Sequence, residues 1–441
     1  MVTERGKNRR RTALFLALAL LLCLFGCGRA AEQEAAPYTP PKTIRMAIYA
    51  DMQAYRQLAR QYMDLHPELE IEIIEYPEKI FRAVNRKLLA EGDGFDVFPI
   101  GIGEYKTYAD SDYCVDMTDI FVDKLAARYA QPDEIFSVRS YNGRIVSLPA
   151  QVQGTVVYYN RRMFRDMGVK VPRNWDEFIY LCVRLNSNNK VPMAMGIKDD
   201  WPLIYLMCDF LATNVQAKDL GWGTDRSKAL TKFSKTPGCM ESYVSYREMI
   251  VNQCFAPDAV YMSDEQAQYA FLAGEAAMYY GRTGSFSLVN GKNERNIDIG
   301  AFPLPVNATG EAAAVPSETG GDLAVWKESQ YPEEAVDFLL YTLEPQNNLL
   351  VNMDKYQSPF QDVEVPLHGT MQEYHEWKEN VLTVPYAVTQ QNWPDSAPFP
   401  DPMIKYMKDC FVGRREMSAK EFWIAQDNAW DDAYANRRWY S

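Results

Sequence analysis

The chain has 441 residues, 47% of them hydrophobic and 24% charged, with a formal net charge of −13 at pH 7. Such acidity argues against nucleic acid or an anionic lipid surface as the partner, and the length exceeds what one hydrophobic core serves, so two lobes are expected. Aromatic residues make up 13%, with 28 Tyr and 9 Trp, more than packing alone demands, which leaves rings to face a bound molecule.

The chain opens with Arg5, Lys7, Arg9, Arg10 and Arg11 ahead of an uncharged run from Thr12 to Gly28. That run is shorter than the about 20 apolar residues a membrane span needs, and its basic-then-apolar layout is that of an export signal. It closes on Leu24-Phe25-Gly26-Cys27, which resembles the lipobox of bacterial lipoproteins, Phe25 being a less usual occupant. The resemblance implies removal of residues 1–26 and lipid on Cys27, holding the protein extracytoplasmically on the cell membrane; the formal charge then moves from −13 to −17, because five basic residues and Glu4 leave. Residues 27–42, polar and carrying Pro37, Pro40 and Pro41, read as a tether.

Past the leader, Cys114, Cys182, Cys208, Cys239, Cys254 and Cys410 show no paired spacing. Buried free thiols are expected, with Cys239 to Cys254 the one pairing left open. His66, His368 and His375 are too few for a histidine-rich zinc site, and no metal or cofactor is expected.

Thr43 to Tyr49 reads as a strand, Gln53 to Leu65 as a helix stopped by His66-Pro67, and Ile71 to Tyr76 alternates as a second strand. A helix from Phe81 to Leu89 leads through Glu91-Gly92-Asp93-Gly94 into the apolar run Phe95 to Ile100. Next comes the most informative stretch. Asn142-Gly143 turns into an apolar run ending in Leu148-Pro149; Thr155 to Tyr159 is β-rich and ends in Tyr159-Asn160; a helix with Met163 and Phe164 stops at Gly168. Then Pro172 precedes Trp175-Asp176-Glu177-Phe178, where Asn174 and Glu177 have the spacing of a capping box. Further on, Gln268 to Gly281 is a helix with Phe271 and Gly274, then Ala276-Ala277-Met278 opening a strand that ends at Gly281.

This ordered set resembles the extracellular solute-binding proteins of ABC importers, family 1, which includes sugar and oligosaccharide binders. The resemblance runs over nearly all of residues 43–441. It implies an α/β, two-lobed fold of the periplasmic-binding type II kind with a hinge between the lobes, acting as a monomer that hands its ligand to ABC permease subunits. Lobe one would comprise 43–149 plus about 304–347, and lobe two 150–303 plus about 348–441, with passages at 148–153, 297–303 and from Asn348 onward. The tail from Ser418 to Tyr440 carries Phe422, Ile424, Ala425, Ala429 and Trp430 at helical spacing and reads as core.

Ligands of open α/β sheets collect beyond the carboxyl ends of strands, which makes Tyr49, Asp51, Gln53 and Glu104 candidates from lobe one. Gln151 and Gln153 would stand at the hinge. In lobe two, Asp200 offers a hydroxyl acceptor and Trp201 an indole face for the C–H-rich side of a pyranose. Gly281 would let a ligand approach the backbone. Many sugar-binding relatives carry an aromatic after that glycine; here Arg282 stands instead, a planar fork suited to a carboxylate, sulfate or phosphate. Gly321 and Asp322 sit on the resemblance's glycine-led return strand, and Tyr356 and Trp393 would approach the cleft on the last passage. Two competing classes are an enzyme and a lipid-anchored sensor for a membrane kinase. Asp199 with Asp200, or Glu373 with Glu376, do not face each other as a glycosidase pair must, and no Gly-x-Ser-x-Gly elbow, zinc helix motif or phosphate loop is present.

Overall fold

The computed structural model describes residues 40–49, 52–101, 104–285, 293, 295–309, 311, 314–379, 381–384 and 401–436. Cys27 and the whole leader lie outside the described residues, as do Asp51 and Trp393.

β1 (Lys42–Ile48), with Ile44, Met46 and Ile48 wholly buried, leads to α1 (Ala54–Leu65) and β2 (Leu69–Glu75). α1 turns Tyr55, Leu58, Ala59 and Tyr62 to the core, the spacing of a helix with one apolar face. After α2 (Glu78–Glu91), β3 (Val97–Ile100) lies parallel to β1, as a crossover helix requires. α3 (Pro132–Arg139) precedes β4 (Gln151–Asn160), the longest strand, whose Val156, Val157 and Tyr158 are buried on both faces as in an interior strand. α4 (Trp175–Ser187) begins with the Asn174 side chain accepting the Glu177 N–H at 2.9 Å. The Glu177 carboxylate reaches back to the Arg173 N–H, also 2.9 Å, so the expected reciprocal box closes one residue early.

The chain continues through β5 (Val191–Ala194), α5 (Trp201–Leu211), α6 (Pro237–Val251), α7 (Asp264–Leu272), β6 (Ala276–Arg282), β7 (Ile299–Phe302), β8 (Ala314–Gly320) and β9 (Asp322–Val325). α8 (Pro332–Thr342), α9 (Pro345–Asn352), α10 (Gly369–Lys378), β10 (Leu382–Val384), α11 (Asp401–Phe411) and α12 (Ala419–Asn436) follow, with shorter helices such as Tyr105–Asp110 and Arg161–Asp166 between the main elements.

Among the described residues there are two large sheets, beside a two-stranded hairpin of Ser140–Tyr141 and Arg144–Ile145. The first has four strands in the order β9-β3-β1-β2, with β9 antiparallel to β3. The second has the order β10-β8-β4-β6-β5, with β7 also paired to β4. β4 is its spine: Gln151 to Gly154 pairs with β8, and Val157 to Asn160 with β7 along the same edge, while Thr155 to Tyr159 pairs with β6 on the other side. Each sheet has its own apolar core, one including Ile44, Leu58, Val97, Leu323 and Phe338, the other Val157, Phe178, Leu206, Tyr246 and Trp423.

The passages between sheets depart from the sequence reading at two places. Within 297–303, expected to be the second passage, Ile299–Phe302 instead pairs with β4, and so does β8; the chain re-enters the first sheet only at Asp322. The third passage falls after Asn348, since Val351 and Phe360 still pack in the first core whereas Val365, Met371 and Tyr374 pack in the second. In the tail, Phe422, Trp423 and Trp430 are buried as a helix face, but Ile424 points outward at 40% exposure. The six cysteines from 114 to 410 are all buried free thiols.

Candidate ligand site at the strand passages

The first passage and the return from β8 to β9 run side by side. Ala150 N–H donates to Gly320 C=O at 3.0 Å, and Leu148 and Leu323 exchange backbone hydrogen bonds of 3.0 and 3.1 Å. Gly321 has φ +63°, a left-handed conformation, and a Cβ there would meet the Gln151 side chain at 2.6 Å, so glycine is required on two counts. The Asn348 and Asn352 side-chain amides both donate to Ala150 C=O at 2.9 Å. Gln153 Nε2 donates to Gln151 Oε1 at 3.0 Å, so the two hinge glutamines act as a pair.

Asp322, expected to contact ligand, is 1% exposed. Its carboxylate accepts from Arg139 Nε and Nη2 at 2.5 and 2.9 Å, from Ser147 Oγ at 3.1 Å and from Tyr105 Oη at 3.0 Å. With both oxygens doubly occupied it is a structural anchor and not a ligand contact. Arg139, equally buried, also donates to the Thr319 hydroxyl and carbonyl at 2.9 and 2.6 Å, so one guanidinium grips the last turn of the second sheet and the first residue of the first. Burial pushes the neighbouring Tyr105 hydroxyl well above its ordinary pKa.

The wall of lobe two is built from facing residues of α5 and β6. On α5, Trp201, Tyr205 and Asp209 recur every four residues and share a face; on β6, Tyr280 and Arg282 are two apart and share a face. The Arg282 guanidinium lies 5.0 Å from the Trp201 ring centre and 5.9 Å from that of Tyr205, and those two rings meet edge-to-face at 5.7 Å. Deeper, Asp209 accepts from Tyr280 Oη and Thr155 Oγ1, both at 2.6 Å. Burial raises its carboxyl from the usual value to about 7, against the pull of those two hydroxyls. Tyr205 Oη stands 3.5 Å from Glu318 Oε1, a carboxylate 3% exposed on β8.

The remaining expected residues fall into distinct places. Asp200 has φ +67° and pairs with Lys408, yet its side chain stays 51% exposed, so the carboxylate is tied to a cation at the start of α5 while still facing solvent. Gly281 does leave room, but the Tyr279 ring fills it: a Cβ would lie 2.7 Å from that ring. Tyr356 is 4% exposed and its hydroxyl presses on Gly284, so it packs between segments. Tyr49 packs edge-on against Phe81 at 5.5 Å, Gln53 donates to Glu75 at 2.9 Å, and Glu104 accepts from Gly101 N–H at 3.1 Å and pairs with Arg82 at 3.4 Å. These three border the carboxyl ends of β1 and β3, held by neighbours on α2, β2 and the turn after β3. The structure thus brings together Gln151, Gln153 and Gly321, and separately Trp201 and Arg282. It adds Tyr205, Glu318 and Asp209, which the sequence reading missed; only the four-residue step from Trp201 to Tyr205 to Asp209 was a readable signal.

Two α/β lobes, each with its own sheet and core, joined by paired passages with polar and aromatic side chains gathered beside them, define a two-lobed binding protein. Residues 47–349 match the model of the bacterial extracellular solute-binding protein family, and the chain belongs to that family. A multiple sugar-binding protein of Streptococcus mutans is 22% identical over 299 residues, spanning 65% of this chain and 67% of its own. MelE of Bacillus subtilis, a melibiose/raffinose/stachyose-binding protein, is 23% identical over 355 residues, spanning 76% and 77%. The solved structure of the binding protein RafE in complex with raffinose superposes with a TM-score of 0.69 at 18% identity, covering 86% of this chain and 98% of that one, and so shares the fold.

Proposed function

We propose that this chain takes a carbohydrate between its lobes and delivers it unchanged to the permease of an ABC importer, held outside the cell by lipid on Cys27. The observation that carries the reading is the Trp201 and Tyr205 pair with Glu318 and the Gln151–Gln153 pair near the passages. A pyranose has an apolar C–H face that suits an aromatic ring and a rim of hydroxyls that suits carboxylate, amide and guanidinium partners. The names of the two relatives support the same class. Lobe one is assigned 43–149 plus 321 to about 362 and lobe two 150–320 plus the rest, with closure as the event a permease reads.

A thermal-shift screen of neutral and acidic mono- and oligosaccharides alongside amino acids, peptides and polyamines tests this, because a molecule bound only by the folded form raises the melting temperature by mass action. A carbohydrate is expected among the stabilisers; a screen in which only amino acids, peptides or polyamines stabilise would refute it. For the anchor, Cys27→Ala should move the protein from the membrane fraction to the soluble one, and retention on the membrane would remove the lipoprotein assignment.

A further inference from the structure

The geometry points to Arg282 as a positioning residue that holds the Trp201 and Tyr205 rings as a stacking platform for an uncharged sugar, not as a reader of anions. This rests on the carbohydrate reading above and narrows it to neutral saccharides.

Three observations carry it. First, the guanidinium already has an occupant: it lies over both rings, at 5.0 and 5.9 Å, so its planar face is engaged by the protein. Second, its position is set from behind. The Arg282 carbonyl accepts from Tyr158 Oη at 3.0 Å, Arg282 pairs with Thr155 across the sheet, and two residues earlier Tyr280 is pinned to Asp209 at 2.6 Å. Since Asp209 and the two rings share one face of α5, helix and strand are joined by two rungs, a hydroxyl–carboxylate rung inside and a guanidinium–aromatic rung at the rim. A group fixed at its backbone and set against two rings is built to hold those rings still.

Third, the local charge does not favour an anion. Arg282 acts electrostatically on Asp264, opposing the rise that burial causes in that carboxyl, and Tyr205, under the same guanidinium, stands beside the buried Glu318. Part of that cation's field is therefore already balanced by the protein's own acids, which leaves less of it for an acidic ligand. A neutral saccharide asks only for a fixed ring face.

The test has a ligand-free arm and a binding arm. In the first, the difference in tryptophan emission between the protein and Trp201→Phe isolates this indole, and the same difference is taken on an Arg282→Gln background. The positioning role predicts a shifted emission and faster acrylamide quenching of Trp201 once the guanidinium is gone; an unchanged signal overturns it. In the second, raffinose, xylotriose and chitotriose serve as neutral probes and trigalacturonate as the acidic one, titrated at low and high salt. A neutral probe should bind best and nearly independently of salt, and both Arg282→Gln and Arg282→Lys should weaken it about five-fold, because lysine keeps the charge but not the plane. Tighter binding of trigalacturonate that falls with salt, or full rescue of its binding by Arg282→Lys, overturns the proposal. If no saccharide binds, the carbohydrate reading fails and the emission arm alone decides the role of Arg282.

Discussion

Two charged clusters, one at the return from β8 to β9 and one on the wall of lobe two, are built in opposite ways. Around Asp322 every oxygen is engaged and the ion pair with Arg139 is sealed from water, side chains 0% and 1% exposed. Around Arg282 the cation is only partly buried and two rings stand among its neighbours. Full saturation leaves nothing for a guest to bind and makes the first cluster a fastening between sheets. Partial burial with aromatic partners leaves ring faces and hydroxyl acceptors at the rim. Between them Asp209 is a third case, a buried carboxyl bonded to two hydroxyls and, among the described residues, to no cation.

The sharpest way to break the contrast is Arg139→Met, which leaves Asp322 buried without its counter-charge. It should cost roughly 3–5 kcal/mol in urea unfolding, against a small effect for charge removal at the rim. A loss below about 1 kcal/mol would mean that the fastening does not depend on the pair.

Asp209 gives a pH dependence whose sign follows from its raised folded-state pKa. Between the unfolded value near 4 and the folded value of about 7, the folded protein holds a proton that the unfolded chain has lost. Stability from this group is therefore greatest in mild acid and declines as pH rises from about 4 to 7, by up to roughly 4 kcal/mol. Asp209→Asn should flatten that decline in denaturant midpoints measured across the range. An identical slope in the variant would show that the carboxyl ionises elsewhere.

The smallest expected effect concerns binding. Trp201→Ala should weaken a stabilising saccharide by about 1–3 kcal/mol in calorimetric titration while barely moving the melting temperature, since the ring is only partly buried. Loss of stability with unchanged affinity would return Trp201 to the core.

Much of the fold was legible because its signals are local. The alternation in Ile71 to Tyr76, the Leu148-Pro149 break and the Asn174 cap each declare an element within a few residues. The passage at 297–303 was misplaced for the converse reason: a short apolar strand beside prolines looks the same whether it crosses between lobes or pairs with β4, and that choice is made by partners far away in sequence. The Asp322 assignment failed similarly, because Arg139 lies 183 residues away and nothing local marks it as the partner. Trp201 was found by residue type; Tyr205 and Asp209 were hidden inside an apolar helix, where a tyrosine and an acid read as exceptions to a core.

Two of the three passages between the sheets are bonded to each other from Leu148 and Leu323 through Gln151 and Gly320, and the third stretch reaches them where Val152 N–H donates to Gln357 C=O at 2.7 Å. They form a ribbon, and a ribbon twists and bends along its length far more readily than it shears. In the proposed closure, a swing of one half against the other would be guided toward rotation along this ribbon, and a guest that draws the halves together would have few motions to drive.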